Sequence, residues 1–213
     1  MTGEAARRGT VVFDLGGVLI DWNPRHLYRK LFPGDEAAME DFLANVCSPD
    51  WNERQDEGRS FADAAQHLIE RHPEKRHLIE AYGARFGEML AGAIPGTVLI
   101  LEELHRQGTP LYALTNWSAE TYPIALERFE FLQWFRGVVV SGHEKLIKPD
   151  PRIYRLLLER FAIDAADAVY IDDNPRNAEA ATRLGLHGIH FTGPAKLREA
   201  LVGLRILPAH RGR

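Results

Sequence analysis

Polar residues able to do chemistry follow each of four short apolar runs in this chain. They are Asp14 after the first run, Thr115 and Asn116 at the end of the second, Lys148 in the loop after the third, and Asp172 with Asp173 after the fourth. Ligands of an open parallel sheet bind beyond the carboxyl ends of its strands. If the four runs are parallel strands, their ends bring carboxylates, a hydroxyl and an amine to one crevice. That donor set suits a phosphate group and a divalent cation.

Asp14 is the candidate nucleophile of this set. A carboxylate can attack phosphorus and form an aspartyl-phosphate. Gly16 and Gly17, which come shortly after Asp14, let a ligand approach the backbone. The Thr115 hydroxyl, with backbone N–H groups at a helix start, is expected to hold phosphate oxygens. Lys148 is expected to neutralise phosphate charge and to keep Asp14 ionised. Asn116 either binds the substrate or only fixes its turn.

The cation that fits these residues best is Mg²⁺. It is a hard ion that prefers oxygen ligands and binds through few carboxylates while keeping several waters. We expect Asp14, the backbone carbonyl of Gly16 and Asp173 to hold it, with Asp172 as a further ligand or as support for the others. Two adjacent carboxylates at a strand end repel each other, and a bound cation removes that repulsion. The same pair could instead cap the helix that follows.

The elements that must position these residues are short β-rich runs alternating with helical patterns. Strands are predicted at Val11 to Phe13, Pro110 to Thr115, Gly137 to Val140, Ala168 to Ile171 and His187 to Phe191. Helices with apolar residues every three or four positions are predicted at Thr97 to Gln107, Pro151 to Phe161 and Pro175 to Leu184. This alternation predicts an α/β fold, a doubly wound, Rossmann-like parallel sheet covered by helices on both faces.

Residues 22–93 break the alternation and contain no recognisable strand. Helical segments are predicted near 24–32, 35–46, 60–72 and 74–90, with the stretch from Ser48 to Gly58 as a loop between two of them. We therefore predict an α/β core formed by residues 1–21 and 94–213, and an inserted all-helical cap formed by residues 22–93. Trp51 and Arg54 in the loop, Trp117, and Asp21 near the nucleophile are weaker candidates for contact with the substrate.

Composition excludes several classes of partner. The net charge is −4 and the charged fraction is 26%, so neither nucleic acid nor a membrane is expected to bind. No run approaches the length of a membrane span, and the first ten residues do not resemble a signal peptide. The single cysteine, Cys47, rules out an internal disulfide and is expected to be buried. We expect a cytoplasmic protein, a monomer or a homodimer, whose partner is a small phosphorylated metabolite.

Four segments of the chain resemble the ordered motifs of the haloacid dehalogenase-like hydrolases. They are Phe13-Asp14-Leu15-Gly16-Gly17-Val18, Leu114-Thr115-Asn116, Lys148-Pro149-Asp150 and Ile171-Asp172-Asp173-Asn174. The resemblance covers nearly the whole chain, and residues 22–93 resemble the cap that this family inserts after its first motif. Within this family, the chain is similar above all to the bacterial sugar-1-phosphate phosphatases. The resemblance implies a magnesium-dependent phosphatase with Asp14 as nucleophile.

One position departs from the family pattern. Most phosphatases of this family carry a second aspartate at the position of Gly16, which protonates the leaving group and then activates water. General acid–base help of this kind is typically worth about 10²–10⁴-fold. Three explanations stay open: the substrate has a good leaving group, such as an anomeric oxygen; Asp21 or a cap residue supplies the proton; or the enzyme is slow.

Three other functions compete with this interpretation. The dehalogenases of the same family use the aspartate on carbon without a metal and typically lack a pair such as Asp172–Asp173. A phospho-receiver module has its acidic pair before the phosphorylated aspartate rather than after it. A non-catalytic binder of phosphorylated metabolites would explain Gly16. The acidic pair favours the phosphatase.

Overall fold

The computed structural model describes residues 9–209. Residues 1–8 and 210–213 lie outside this range, so most of the N-terminal stretch that was not expected to be a signal peptide is not described. Seven strands form among residues 9–209, at Thr10–Phe13 (β1), Ile20–Trp22 (β2), Leu90–Ala93 (β3), Leu111–Thr115 (β4), Gly137–Val140 (β5), Ala168–Asp172 (β6) and His187–His190 (β7). Five of them make one parallel sheet in the order β5-β4-β1-β6-β7. All five of these strands were predicted from their apolar runs, with bounds within one residue.

Eleven α-helices accompany the strands within residues 9–209. They are Arg25–Leu31 (α1), Glu36–Asn45 (α2), Pro49–Asp56 (α3), Phe61–Arg71 (α4), Arg76–Ala84 (α5), Pro95–Arg106 (α6), Tyr122–Arg128 (α7), Ser141–Glu144 (α8), Pro151–Arg160 (α9), Pro175–Arg183 (α10) and Pro194–Gly203 (α11). The three predicted helices after residue 94 are confirmed as α6, α9 and α10. No helix of the described range has both the length and the apolar character needed to cross a bilayer.

Two apolar clusters cover the two faces of the parallel sheet. Val12 of β1 points into a cluster with residues of α9 and α10, while Val11 and Phe13 point into a cluster with residues of α6 and α11. The alternation follows from the two-residue period of a strand. All three side chains are fully buried, as expected for the central strand of a sheet covered on both sides. The doubly wound α/β fold is thereby confirmed, and Asp14 leaves the sheet at its centre.

Residues 22–93 form α1 to α5 around an aromatic cluster. Tyr82 contacts Trp51 at 5.0 Å and Phe61 at 6.0 Å between ring centroids, and Cys47 is buried nearby. The expectation that this stretch has no strand is wrong at its ends, because Trp22 belongs to β2 and Leu90–Ala93 forms β3. These strands pair antiparallel. Leu90-Ala-Gly-Ala lacks the β-branched residues that mark a strand, and its partner is distant in sequence. The division into core and cap stays a prediction.

The predicted loop from Ser48 to Gly58 is instead helix α3. The Ser48 hydroxyl caps the helix by accepting from the Trp51 amide at 3.2 Å, and Pro49 occupies its first turn. Local signals for a helix start were therefore present. The segment was misread because it is mostly polar, so its apolar residues show no helical period. Trp51 lies in the buried aromatic cluster rather than in a surface turn.

Candidate active site

Asp14 lies just past the end of the central strand, with its side chain almost fully enclosed. Its backbone amide donates to the Ile171 carbonyl at 2.8 Å and thus continues the pairing of β1 with β6. One carboxylate oxygen, Oδ1, accepts from the Leu15 amide at 2.7 Å. The other, Oδ2, lies 2.9 Å from Nζ of Lys148. The strand end therefore fixes both oxygens of the candidate nucleophile.

Lys148 reaches the same place from the loop after α8, and its side chain is 1% exposed. Besides Asp14, its Nζ contacts Oδ2 of Asp172 at 2.7 Å and the Leu114 carbonyl at 3.1 Å. A buried ammonium group is costly unless it is paired. Burial favours the neutral amine, but the two carboxylates outweigh it and raise the pKa of Lys148. Lys148 is thus held as a cation between the ends of β1, β4 and β6.

Asn116 holds the backbone of the Lys148 loop against the end of β4. Its Oδ1 accepts from the Lys148 amide at 2.8 Å, and its Nδ2 donates to the Lys148 carbonyl at 3.1 Å. This reciprocal pair favours the turn-fixing alternative for Asn116, although the residue also lines the cleft described below. Thr115, the last residue of β4, is buried and faces the same cleft.

Asp172 accepts a dense set of hydrogen bonds at the end of β6. Its Oδ2 accepts from the Tyr170 hydroxyl at 2.5 Å and from Lys148, and its Oδ1 accepts from the Asn174 amide at 2.9 Å. The Asn177 side chain donates to the same carboxylate at 3.1 Å. Burial opposes ionisation, but Lys148 and these donors together lower the pKa of Asp172. With its oxygens so engaged, Asp172 is suited to supporting Lys148 more than to binding an ion directly.

The donor set at the strand ends fits a divalent cation. Carboxylate oxygens of Asp14, Asp172 and Asp173 lie within 4.8 Å of one another. Burial, helped by the charges of Asp172 and Asp173 and only partly offset by Lys148, raises the pKa of Asp14 to about 7. Burial and Asp172 likewise raise the pKa of Asp173. These crowded carboxyl groups ionise less readily than free ones. A bound hard cation would stabilise them as carboxylates.

Gly17 makes room for Asp173 in this cluster. Its φ is +72°, and a Cβ placed there would lie 2.2 Å from Oδ2 of Asp173. Gly16, directly before it, lies outside the left-handed region, and a Cβ there meets no described atom within 4 Å. Gly17 is therefore required because a side chain there would collide with Asp173, whereas Gly16 has room for a side chain.

Replacing Gly17 by alanine is expected to lower the free energy of unfolding by about 1–3 kcal/mol, through left-handed strain and displacement of the Asp173 carboxylate. Because Asp173 moves, activity should also need a higher Mg²⁺ concentration. Gly16→Ala is the matched control for stability and should change it by less than about 1 kcal/mol. Denaturant unfolding of both variants measures this difference, and equal losses would contradict the steric explanation.

The site opens into a cleft of about 510 Å³ between the strand ends and the α1–α5 segment. Its lining is mostly polar or charged: Asp14, Gly16, Gly17, Trp22, Pro49, Asp50, Asn52, Glu53, Asp56, Thr115, Asn116, Lys148, Asp173, Asn174, Arg176 and Asn177. Every residue predicted to act as nucleophile, phosphate ligand or metal ligand lines this cleft except Asp172, which is buried and pairs with Lys148. The arrangement brings a buried carboxylate, a fixed cation and a carboxylate pair to one polar cavity.

None of the four weaker candidates lines the cleft. Asp21 is half exposed and pairs with His26 at 3.0 Å. Arg54 points to solvent and pairs with Glu57. Trp117 is buried but lines a smaller cavity beside Gly16. Neither Asp21 nor Arg54 lines the cleft, nor does Trp51.

Sequence reasoning missed the contribution of α3. Asn52 and Asp56 lie four residues apart on this helix, so they share a face, and that face lines the cleft. The Ser48-Pro49 helix start would have revealed this spacing, had the segment been recognised as helical. Tyr170 was also missed, since a buried tyrosine in a strand gives no sign of its polar partner.

A central carboxylate at the end of a doubly wound sheet, facing a lysine and an acidic pair, has the arrangement that the sequence motifs predicted for a hydrolase site. The sequence profile described as "haloacid dehalogenase-like hydrolase" matches residues 9–185. The chain therefore belongs to the haloacid dehalogenase-like hydrolases, as its motifs predicted, and is an enzyme.

Curated relatives include both phosphatases and a dehalogenase. The chain is 27% identical to the sesquiterpene phosphatase astK of Aspergillus oryzae over 85% of this chain and 88% of that protein. It is also 27% identical to the phosphorylated carbohydrates phosphatase of Thermotoga maritima, over 84% and 83% of the two chains. Identity to the (S)-2-haloacid dehalogenase 4A of Burkholderia cepacia is 25%, over 64% and 56%. Two further relatives are much longer, and the chain spans 12% and 19% of their lengths.

Solved structures agree on the fold. The family enzyme bt-2542 from Bacteroides thetaiotaomicron, crystallised with magnesium and inorganic phosphate, superimposes with a TM-score of 0.64 at 22% identity. The match covers 84% of this chain and 91% of that one.

Proposed function

We propose that this enzyme is a magnesium-dependent phosphatase that hydrolyses a small, polar phosphomonoester through an aspartyl-phosphate on Asp14. The observation that carries the proposal is the gathering of Asp14, Asp173 and Lys148 at the head of one cleft, with three carboxylates within 4.8 Å. A phosphate dianion brought to this site needs positive charge from more than one lysine, and the carboxylate pair supplies the place for a cation.

The residues divide the work as follows. Asp14 attacks phosphorus, with its Oδ1 oriented by the Leu15 amide. Lys148 and Thr115 hold phosphate oxygens, and Asn116 keeps Lys148 in register. Mg²⁺, held by Asp14, Asp173 and the Gly16 carbonyl, would supply charge neutralisation of the phosphate. Asp172 stabilises the charge of Lys148 from below.

The lining of the cleft favours a polar substrate such as a sugar phosphate. Apart from glycines, Trp22 and Pro49 are the apolar residues of the lining, and the others offer amide, carboxylate, hydroxyl or cationic groups. Such groups bind hydroxyls well and would be left unpaired by a terpene chain. This supports a substrate closer to that of the phosphorylated carbohydrates phosphatase than to that of the sesquiterpene phosphatase.

A panel of phosphomonoesters assayed with and without Mg²⁺ tests the proposal. We expect phosphate release from sugar phosphates and from p-nitrophenyl phosphate, lost in EDTA and restored when Mg²⁺ is added back. Prenyl phosphates should be poorer substrates, because their chains leave the polar lining unpaired. The readout is phosphate release at a fixed enzyme concentration.

The same panel includes the competing dehalogenase activity, which the Burkholderia relative makes relevant. A dehalogenase would release halide from 2-chloropropionate and would be insensitive to EDTA. Chelator-insensitive halide release together with no phosphate release would replace the phosphatase assignment. Absence of both activities, with binding of inorganic phosphate retained, would favour a non-catalytic binder.

A further inference from the structure

A small cavity adjoins the cleft beside Gly16, where most family phosphatases carry their second aspartate. It measures about 50 Å³ and is lined by Gly16, Trp22, Asn52, Asp56, Phe86, Asn116 and Trp117. Five of these residues also line the main cleft. The volume is enough for one or two water molecules, or for a hydroxyl of a bound substrate. The space left by the missing Gly16 side chain is therefore bordered by residues from α3.

Asp56 is the carboxylate of this cavity. Its Oδ2 accepts from Nδ2 of Asn52 at 3.0 Å, one helical turn earlier on α3. The Asp56 carbonyl accepts from the Ser141 hydroxyl, whose oxygen in turn accepts from the Trp117 amide at 2.9 Å. These contacts tie the C-terminal end of α3 to the loop after β4 and hold the Asp56 carboxyl on a fixed element.

Asn52 indicates that something polar binds in the cavity. Its side chain is buried, and while Nδ2 donates to Asp56, Oδ1 has no hydrogen-bond partner among residues 9–209. Trp22 borders the same cavity, and its indole nitrogen is likewise buried without a partner in that range. Buried polar groups of this kind are normally satisfied. A substrate hydroxyl or a water in the cavity would satisfy both.

We propose that Asp56 is the proton donor and acceptor of this enzyme, acting from α3 in place of the acid absent at Gly16. The inference rests on the phosphatase function proposed above. In the first step Asp14 bonds to phosphorus and the bond to the leaving oxygen breaks, while Asp56 gives that oxygen its proton and becomes a carboxylate. In the second step water attacks phosphorus and gives a proton to Asp56, and the bond between phosphorus and the Asp14 oxygen breaks, which frees the Asp14 carboxylate and inorganic phosphate.

The surroundings of Asp56 agree with a proton held near neutral pH. Burial, with a smaller contribution from Glu53, raises the pKa of Asp56 to about 7 against the opposing effects of the Ser118 backbone and Lys148. Carboxyl groups that act as acids are tuned towards the working pH in this way. Asp21, the other acid considered for this task, is half exposed and paired with His26 outside the cleft.

Asp56→Asn tests the role, with two substrates that differ in their need for a proton. The leaving group of p-nitrophenyl phosphate is stable as an anion, whereas that of an alkyl phosphate is not. In the variant we expect phosphorylation of Asp14 by the aryl substrate to stay within about threefold of wild type. The alkyl substrate should lose about 10²-fold or more. Rapid-mixing measurement of nitrophenolate should then show a burst, because hydrolysis of the aspartyl-phosphate has lost its base.

Two further variants complete the experiment. Glu57→Gln removes the same charge one residue along, where the carboxylate pairs with Arg54 at the surface, and should leave both substrates unaffected. Gly16→Asp in the Asp56→Asn background places a carboxyl where a Cβ meets no described atom, and should restore at least about tenfold of the lost alkyl rate.

Equal losses in the rate at which the two substrates phosphorylate Asp14 would reduce Asp56 to a structural role, and no loss on either would exclude it. Failure of Gly16→Asp to raise the alkyl rate would mean that the missing contribution is not proton transfer. Each of these outcomes overturns the proposal while wild-type phosphatase activity stands. A wild-type enzyme inactive on both substrates would instead overturn the proposed function.

Discussion

Asp14→Asn is expected to lower turnover of every phosphomonoester by about 10⁴-fold or more, because asparagine has no anionic oxygen to attack phosphorus. Wild-type enzyme quenched in acid during turnover should carry a phosphoryl group on the peptide that contains Asp14, and the variant should not. Phosphate release and mass spectrometry of the quenched protein measure the two effects. Residual turnover within tenfold of wild type would assign the nucleophile elsewhere.

The same substitution should not weaken the fold, which separates loss of chemistry from loss of structure. Burial raises the pKa of Asp14 to about 7 in the folded chain, well above its value of about 3.9 in an unfolded one. A raised carboxyl pKa costs stability above the folded value and costs nothing below the unfolded one. At pH 8 in EDTA, the neutral asparagine variant should therefore unfold at a higher temperature than wild type. Lys148 keeps Asp172 as its partner.

Lys148→Met should lower the free energy of unfolding more than Gly17→Ala does. Methionine fills a similar space but leaves the carboxylates of Asp14 and Asp172 buried without their cation. Removing one partner of a buried ion pair typically costs about 3–5 kcal/mol, and we expect a loss of that size in the free energy of unfolding at pH 8. Denaturant titration in EDTA measures it. Lys196→Met, on the exposed side of α11, is the control and should change little.

The loss in Lys148→Met should shrink as the pH falls. Without Lys148 the folded-state pKa of both carboxyls lies higher than in the unfolded chain, so the folded state binds protons first. Stability is then regained as pH falls through the raised folded value and is complete below the unfolded one. The deficit at pH 5 should be smaller than at pH 8. A deficit independent of pH would show that lost packing, not uncompensated charge, is the cause.

The parallel sheet could be predicted because its signals are local. The runs around Val12, Val139 and Tyr170 are short, apolar and bounded by polar turns, and strands buried on both faces require such composition. The rule that ligands bind beyond the carboxyl ends of strands then converts four distant motifs into one candidate site. For this reason the sequence alone was enough to expect that Asp14, Thr115, Lys148 and Asp173 lie at one site.

The elements that escaped prediction lack local signals or have distant partners. Strand β3 exists because Leu90 to Ala93 pair with β2, which lies at the other end of the inserted segment. Helix α3 has a cap signal but no apolar period, since its stability comes from Trp51 packing on Tyr82. The contact of Lys148 with Asp172 joins segments distant in the chain. It depends on strand order and side-chain direction, which the spacing of the motifs does not give.

Asp14 and Gly16 separate what the sequence determined from what only the tertiary structure decided. The sequence by itself determined that a carboxylate ends the central strand and that the usual second acid is missing beside it, because both are properties of one short motif. Only the tertiary structure decided what borders that gap. Asp56 and Gly16 line the same cavity only because of how the inserted helices pack on the sheet. That packing is the sum of many weak contacts between segments distant in the chain.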